Sequence, residues 1–216
     1  MNEQLFTILA TLVLVPMLLA TLRLVFVLPS CRKFAPGPKS ISTTPKSVLI
    51  LLGSGGHTGE MIRVLKQFEH FGLLKRTYAI SDSDKTSLAS LQAIEKSPST
   101  IILPRARNVG ENKVSAIIRS LKSFIATFRT FATLKTYPDV FLCNGPGTAI
   151  PIAYVLFFFK FLGLCHTKII YVESLARVKQ LSLTGWLILP ISDRILVQWE
   201  SLAKKYKRCE YHGILV

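Results

Sequence analysis

Acidic side chains are few in this chain: 12 Asp and Glu stand against 27 Lys and Arg in 216 residues, a formal net charge of +15. Cysteine is sparse too. Cys31, Cys143, Cys165 and Cys209 have the spacing of neither a metal site nor a disulfide framework, and read as reduced thiols of a cytosolic domain. The glycine-rich stretch Gly53-Ser54-Gly55-Gly56-His57-Thr58 is not followed by Gly-Lys-Ser/Thr, which excludes a P-loop. Its sixth position is Thr58 rather than glycine, so the full dinucleotide fingerprint is missing and a redox cofactor is disfavoured. Zinc-finger spacing, an RNP-like aromatic motif and an isolated recognition helix are all absent, so the positive charge does not point to nucleic acid. Half the residues are apolar and the mean hydropathy is +0.40. Basic and apolar together indicate an anionic membrane surface.

The apolar excess begins at the N-terminus. Leu5 to Leu28 is 24 residues with one charge, Arg23, long enough as helix to span a bilayer core of roughly 20 residues. Pro16 lies in its middle, which membrane helices tolerate, and Arg23 is near one end, where it can snorkel. A cleaved signal peptide would want a basic start and a shorter apolar region; here the start carries Glu3 and no Lys or Arg. Arg32, Lys33, Lys39 and Lys46 all follow the segment, so the positive-inside rule places the following domain in the cytosol. The resulting division is an anchor over 1–28, a linker rich in Pro, Ser, Thr and Lys over 29–46, and a domain over 47–216.

That domain alternates short β-rich apolar runs with helical stretches. The runs are Ser47–Leu52, Arg76–Ile80, Thr100–Leu103, Asp139–Cys143, Lys168–Val172 and Arg194–Gln198; the helical stretches lie near 58–70, 84–95, 110–136, 147–163 and 175–190. The pattern predicts an α/β fold with a Rossmann-like doubly wound parallel sheet, whose ligands sit beyond the C-terminal ends of the strands. Three loops at those ends carry unusual chemistry. Gly53–Thr58 opens a helix and holds His57; Asn144-Gly145-Pro146-Gly147-Thr148 repeats the glycine turn; Glu173-Ser174 places a rare carboxylate at a strand end. Free N–H groups and the partial positive charge of a helix start suit phosphate. Taken singly, each loop is equally a tight βα turn, His57 a residue bonding its own backbone and Glu173 a helix cap. Together on one sheet edge they define a shared site.

Two stretches favour a membrane. From Lys96 to Pro138 there are eight basic residues and one acid, Glu111. Within it Val114, Ile117, Ile118, Leu121, Phe124, Ile125, Phe128 and Phe131 recur at helical spacing. This is first an ordinary helix packing its stripe on the sheet, and alternatively a helix lying on the bilayer. Ala149–Leu164 is apolar but, at 16 residues with Lys160 inside, short for a span; it reads as a buried or membrane-dipping helix.

The motifs GSGGHTGEM, FLCNGPGTAIP, YVESLARV, LSLTG and DRILVQW, in that order from Ser47 onward, resemble the membrane-anchor subunit of the eukaryotic UDP-N-acetylglucosamine transferase, which adds the second N-acetylglucosamine to the dolichol-linked oligosaccharide precursor. The chain is similar, more distantly, to the N-terminal half of the bacterial transferase acting on the peptidoglycan lipid precursor. The resemblance implies one half of a GT-B glycosyltransferase, since the length leaves room for a single Rossmann-like domain. It implies that a small soluble donor-binding (Alg13-type) subunit carries UDP-GlcNAc and is recruited to the cytosolic face of the endoplasmic reticulum, without which the chain is inactive. Contact with that partner is expected in the tail Tyr206–Val216, notably Tyr211, Ile214, Leu215 and Val216.

The implied acceptor is dolichyl-diphosphate-GlcNAc, extended by a β1,4 link. Gly53, Ser54, Gly55, Gly56 and Thr58, with Asn144, Gly145, Gly147, Thr148 and Ser174, are candidates to hold its diphosphate. His57 has the intrinsic pKa to take the proton of the attacking hydroxyl, or else serves only as a hydrogen-bond donor to phosphate. Glu173 orients His57 or the acceptor sugar, or is itself the base. No cofactor and no metal are implied. A non-catalytic membrane scaffold and a self-sufficient lipid-linked sugar transferase acting as a homodimer are the competing readings.

Overall fold

In the computed structural model, residues 3–32, 46–68, 71–106 and 112–216 are described. The core is a seven-stranded, wholly parallel sheet of β1 (Ser47–Leu52), β2 (Lys75–Ser81), β3 (Thr100–Leu103), β4 (Val140–Asn144), β5 (Lys168–Val172), β6 (Arg194–Val197) and β7 (Cys209–Tyr211). The order is β3-β2-β1-β4-β5-β6-β7. The chain walks outward from β1 to β3, then returns past β1 and continues on its other side, so the order reverses between β1 and β4. The sequence runs predict six of these strands closely. β7 is additional; at three residues it has too short a pattern to be read, and is held at the edge by a salt bridge from Arg194 on β6 to Glu210.

Strand alternation divides the core into two faces. Leu49, Leu51, Phe141, Cys143, Ile169 and Tyr171 point to one, under helices α4 (Lys113–Ala132), α5 (Ala149–Phe161) and α6 (Leu183–Ile188). Val48, Ile50, Leu52, Tyr78 and Ile80 point to the other, under α2 (Gly56–Lys66) and α3 (Lys85–Gln92). A last short helix, α7 (Glu200–Lys205), precedes β7. Beyond α2, Val140, Leu142, Ile170, Val172 and Leu196 of strands β4–β6 form the floor of a groove of about 600 Å³, with Lys46, Arg194 and His212 at its lining and Leu215 closing part of it.

The N-terminal helix α1 (Glu3–Val27) is 25 residues and continues through Pro16. Its hydropathy is high enough to cross a membrane, and none of its most apolar window is buried. Arg23 donates from Nε to Phe161 O (3.0 Å) and from Nη2 to Lys160 O (3.2 Å). The carbonyls of the last turn of α5 supply acceptors, Lys160 O sharing itself with Gly163 N, so the arginine clasps α1 to the domain. Of the expected linker, Pro29–Cys31 forms one 3-10 turn, and 33–45 lies outside the described residues.

Two further expectations are corrected. The stretch 175–190 is helical only over Leu183–Ile188, because Glu173 accepts from Ser174 N and Ser182 N and fixes the intervening chain in a loop. The apolar stripe of α4 does not lie on the sheet. Phe124 and Phe131 turn inward beside Ser123 and Thr127, while Val114, Ile117, Ile118, Leu121, Ile125 and Phe128 are exposed. The inward face is set by hydrogen bonds: Ser123 Oγ donates to Pro104 O and Ser120 Oγ to Ala106 O.

Candidate functional site

The loops after β1 and β4 meet at the reversal point, where crossovers to opposite faces leave a crevice. The first leads into α2, the second into α5, and neither helix has a side-chain cap. By contrast Asp84, Asn112 and Ser182 cap α3, α4 and α6. In α2 the missing cap leaves the N–H groups of Gly56 and His57 without an acceptor among the described residues and open to whatever occupies the crevice. In α5 Ala149 N donates to Pro146 O (2.9 Å), Ile150 N donates to Gly147 O (3.1 Å), and Pro151 has no N–H. Two glycines permit the close meeting. A Cβ on Gly53 would lie 2.6 Å from the Pro146 ring. Gly145 has φ +57°, and a Cβ there would lie 2.1 Å from His57 Nδ1.

His57 is the second residue of α2. Its Nδ1 is enclosed and lies 3.5 Å from Glu60 Oε2 without hydrogen-bond geometry, so Nε2 is the ring nitrogen left for a ligand. Glu60 is the functional residue that the sequence reading misses. Oε1 accepts from Ser174 Oγ (2.8 Å) and Leu175 N (3.2 Å), and Oε2 from Asn144 Nδ2 (3.4 Å). One carboxylate thus joins all three loops. The available signal was its position, three residues after His57 and on the same helix face.

Asn144 is 2% exposed and donates to His57 O (2.9 Å), bracing the first turn of α2; its Oδ1 has no partner among the described residues. Glu173 is 1% exposed. Its carboxylate accepts from Ser174 N (3.0 Å), Ser182 N (2.8 Å) and Ser182 Oγ (3.1 Å). Gly185 makes room, since a Cβ there would lie 2.5 Å from Glu173 Oε2. Burial, reinforced by the charge of Glu173, pushes the Tyr171 phenol well above its ordinary range and keeps it a neutral hydrogen-bonding group. No ion pair joins Glu173 to His57 among the described residues; the carboxylate that faces the imidazole is Glu60.

These groups border a cavity of about 1060 Å³. His57, Gly145, Gly147, Glu173 and Ser174 form its polar side; Ile117, Phe124, Ile150, Leu183 and Leu187 form an apolar wall; exposed Arg177 adds a cation. Among the other candidates, Ser54, Gly55 and Gly56 occupy the outer part of the first loop, Gly53 and Thr148 are buried behind it, and Thr58 is turned inward. The Thr58 hydroxyl bonds Gly53 O and Ser87. Asp82-Ser83-Asp84 has the spacing of a metal-bridging pair, but Asp84 accepts from Ser87 N and Oγ as the cap of α3. Of the tail residues, Tyr211 lies on the edge strand and Ile214 is exposed. Leu215 and Val216 pack on the second face, with Leu215 N donating to Gln198 Oε1 (2.8 Å) and Gln67 Nε2 to Leu215 O (2.9 Å).

A parallel sheet in this order, with a glycine-loop cavity at its reversal point, defines one Rossmann-type half of a GT-B-like glycosyltransferase fold. The solved structure of Acinetobacter baumannii MurG superposes with a TM-score of 0.56 at 17% identity, over 77% of this chain and 45% of that one. A UDP-N-acetylglucosamine 2-epimerase superposes with a TM-score of 0.52 at 10% identity, over 78% and 46%. The chain therefore spans about half the length of these structures. It belongs to the family of Alg14-like oligosaccharide biosynthesis proteins, which matches residues 48–215. Its relatives include proteins named UDP-N-acetylglucosamine transferase subunit ALG14. The one from Candida albicans is 49% identical over 93% of both chains. The one from Debaryomyces hansenii is 44% identical over 99% of both. The human protein is 34% identical over 82% of this chain and 88% of its own.

Proposed function

We propose that this chain is the membrane-anchoring, acceptor-binding subunit of a UDP-N-acetylglucosamine transferase that extends dolichyl-diphosphate-GlcNAc by a β1,4 link. The observation that carries the reading is the composition of the cavity. The uncapped start of α2, with the N–H groups of Gly56 and His57, and the Arg177 side chain offer donors and charge for a diphosphate. An apolar wall stands opposite, next to exposed helices and an anchor. A ligand with a sugar diphosphate head and a hydrocarbon tail matches both halves.

In the reaction, the acceptor 4-hydroxyl oxygen attacks the anomeric carbon of UDP-GlcNAc. The new C–O bond forms as the bond to UDP breaks, and UDP leaves with the electron pair. His57 Nε2 takes the hydroxyl proton, and Glu60 at 3.5 Å from Nδ1 stabilises the imidazolium that results. Glu173 holds the Ser182 loop and the cap of α6, which shape the acceptor side of the cavity. The donor-binding half comes from a soluble partner. The open groove over β4–β6, with Leu215 and Val216 at its margin, supports docking beside the C-terminal tail. Basic residues following α1 support a cytosol-facing domain, here on the endoplasmic reticulum membrane.

Affinity purification of the tagged chain from detergent-solubilised membranes, followed by assay with UDP-GlcNAc and the lipid-linked acceptor, tests this. The expected result is a co-purifying small soluble protein and transfer activity that requires both chains. Recovery of the chain alone or only with itself would overturn the split transferase. Full activity in Glu173→Ala would favour a pure scaffold. An unchanged pH–rate profile in His57→Ala, with only weaker acceptor binding, would remove the base assignment.

A further inference from the structure

The cavity continues sideways. Its wall residue Phe124 also lines a second cavity of about 520 Å³, between α4 and α5, with Phe128, Tyr154 and Phe158. Tyr154 and Phe158 in turn line a third of about 370 Å³, whose far side is Thr21 and Leu24 of α1. The three form a single line from the polar loops to the anchor helix. We propose that this α4–α5 groove is the track of the acceptor's polyisoprenoid chain, a reading that rests on the acceptor role above. The chain would leave the diphosphate cradle past Phe124, cross Phe128 and Phe158, and enter the bilayer beside α1.

Three observations argue for a hydrocarbon chain here. First, the track presents carbon. The Tyr154 hydroxyl donates to Leu187 O (2.8 Å) and Thr21 Oγ1 to Met17 O (2.8 Å), so both hydroxyls on the route are engaged elsewhere, and the charged side chain that lines it, Arg129, is exposed. Second, the floor is aromatic: the Phe128 ring lies 6.2 Å from that of Phe158 and 5.3 Å from that of Phe159, both tilted. Third, the groove is open along its side, with Ile125, Phe128 and Phe158 exposed. From Ile117 to Phe128 the helix rise amounts to roughly 16 Å, enough for the first isoprene units. A lipid whose head must reach the loops while its tail stays in the membrane needs such a lateral exit. Drawing the chain through water would expose every methylene at a cost in free energy.

The whole complex, reconstituted in vesicles, is assayed with UDP-GlcNAc and two acceptors: a polyprenyl-diphosphate-GlcNAc, and a water-soluble alkyl-diphosphate-GlcNAc too short to reach Phe128. Ile125→Trp, at an exposed position on the groove, is expected to raise KM for the long-chain acceptor about tenfold, with kcat and the short-chain KM unchanged. An equal change for both acceptors, or none for either, would overturn the track. A second readout uses a polyprenyl-diphosphate-GlcNAc with a diazirine near the diphosphate end. Crosslinks on α4 and α5 that unlabelled acceptor competes away support the track; crosslinks confined to α1, or insensitive to competition, overturn it. Absent transfer in the unaltered complex with competed crosslinks intact would overturn the transferase reading alone.

Discussion

Glu60 shows how one side chain can organise a site that is assembled from distant parts of the chain. It accepts from Ser174 Oγ and Leu175 N, more than a hundred residues further along, while facing His57 on its own helix. Glu60→Gln keeps the size but loses the charge opposite the imidazole. It should lower kcat in the reconstituted complex by about 10- to 100-fold, corresponding to a charged contact of roughly 1.5–3 kcal/mol, with KM for UDP-GlcNAc unchanged. Gly145 is the second critical residue. Gly145→Ala requires a Cβ at 2.1 Å from His57 Nδ1 on a backbone with φ +57°. It should displace the ring, abolish transfer and cost about 1–2 kcal/mol in thermal unfolding. Gly59→Ala on α2, where a Cβ meets nothing within 4 Å, is the matched control and should retain activity.

At the scale of elements, the contact between α1 and α5 decides how the N-terminal helix meets the domain. Arg23→Leu should leave α1 able to insert but remove the side-chain donor from the Phe161 and Lys160 carbonyls, of which Lys160 O keeps Gly163 N. Hydrogen exchange at the last turn of α5 should then quicken about tenfold, as expected for loss of a charged hydrogen bond of about 1.5 kcal/mol. A second junction lies at the start of β1. The Ser47 N–H donates to Asp139 Oδ2 at 2.8 Å, and this backbone bond holds the Asp139 carboxyl below the usual carboxylate range. A carboxyl depressed in the folded state stabilises it above the unfolded pKa and loses that contribution as pH falls through the folded value. The domain should therefore become less stable between the ordinary aspartate range and the depressed value. Asp139→Asn should flatten this segment of the stability–pH curve, measured by thermal melting across acid pH. The legibility of elements varied in the same way. The apolar runs of β1 and β5 declared themselves, whereas β7 is three residues long and owes its place to the Arg194–Glu210 pair. The period of α4 revealed a stripe but not which side the sheet would cover.

For the whole molecule, the two faces of the sheet serve different contacts. One carries α4, α5 and α1; the other has a groove over β4–β6. Leu215 closes part of that opening, so Leu215→Glu places a charge against apolar strands. It should reduce recovery of the partner in affinity purification by at least about tenfold, since it replaces an apolar contact at the groove with a carboxylate that must be desolvated on docking, while the cavity behind β1 and β4 keeps its geometry. Unchanged recovery would move the partner surface elsewhere.

The sequence by itself determined the strand–helix alternation, the apolar N-terminal helix and the three chemically marked loops. These are local properties: periodicity, a run of hydrophobic residues, glycine before a helix. Tertiary structure alone decided that Glu60 rather than Glu173 faces His57, that Thr58 turns inward, that Arg23 clasps α5 and that the α4 stripe is exposed. Each of these depends on which groups from distant segments arrive at the same place, and no local pattern contains the partner that completes a hydrogen bond or covers a helix face.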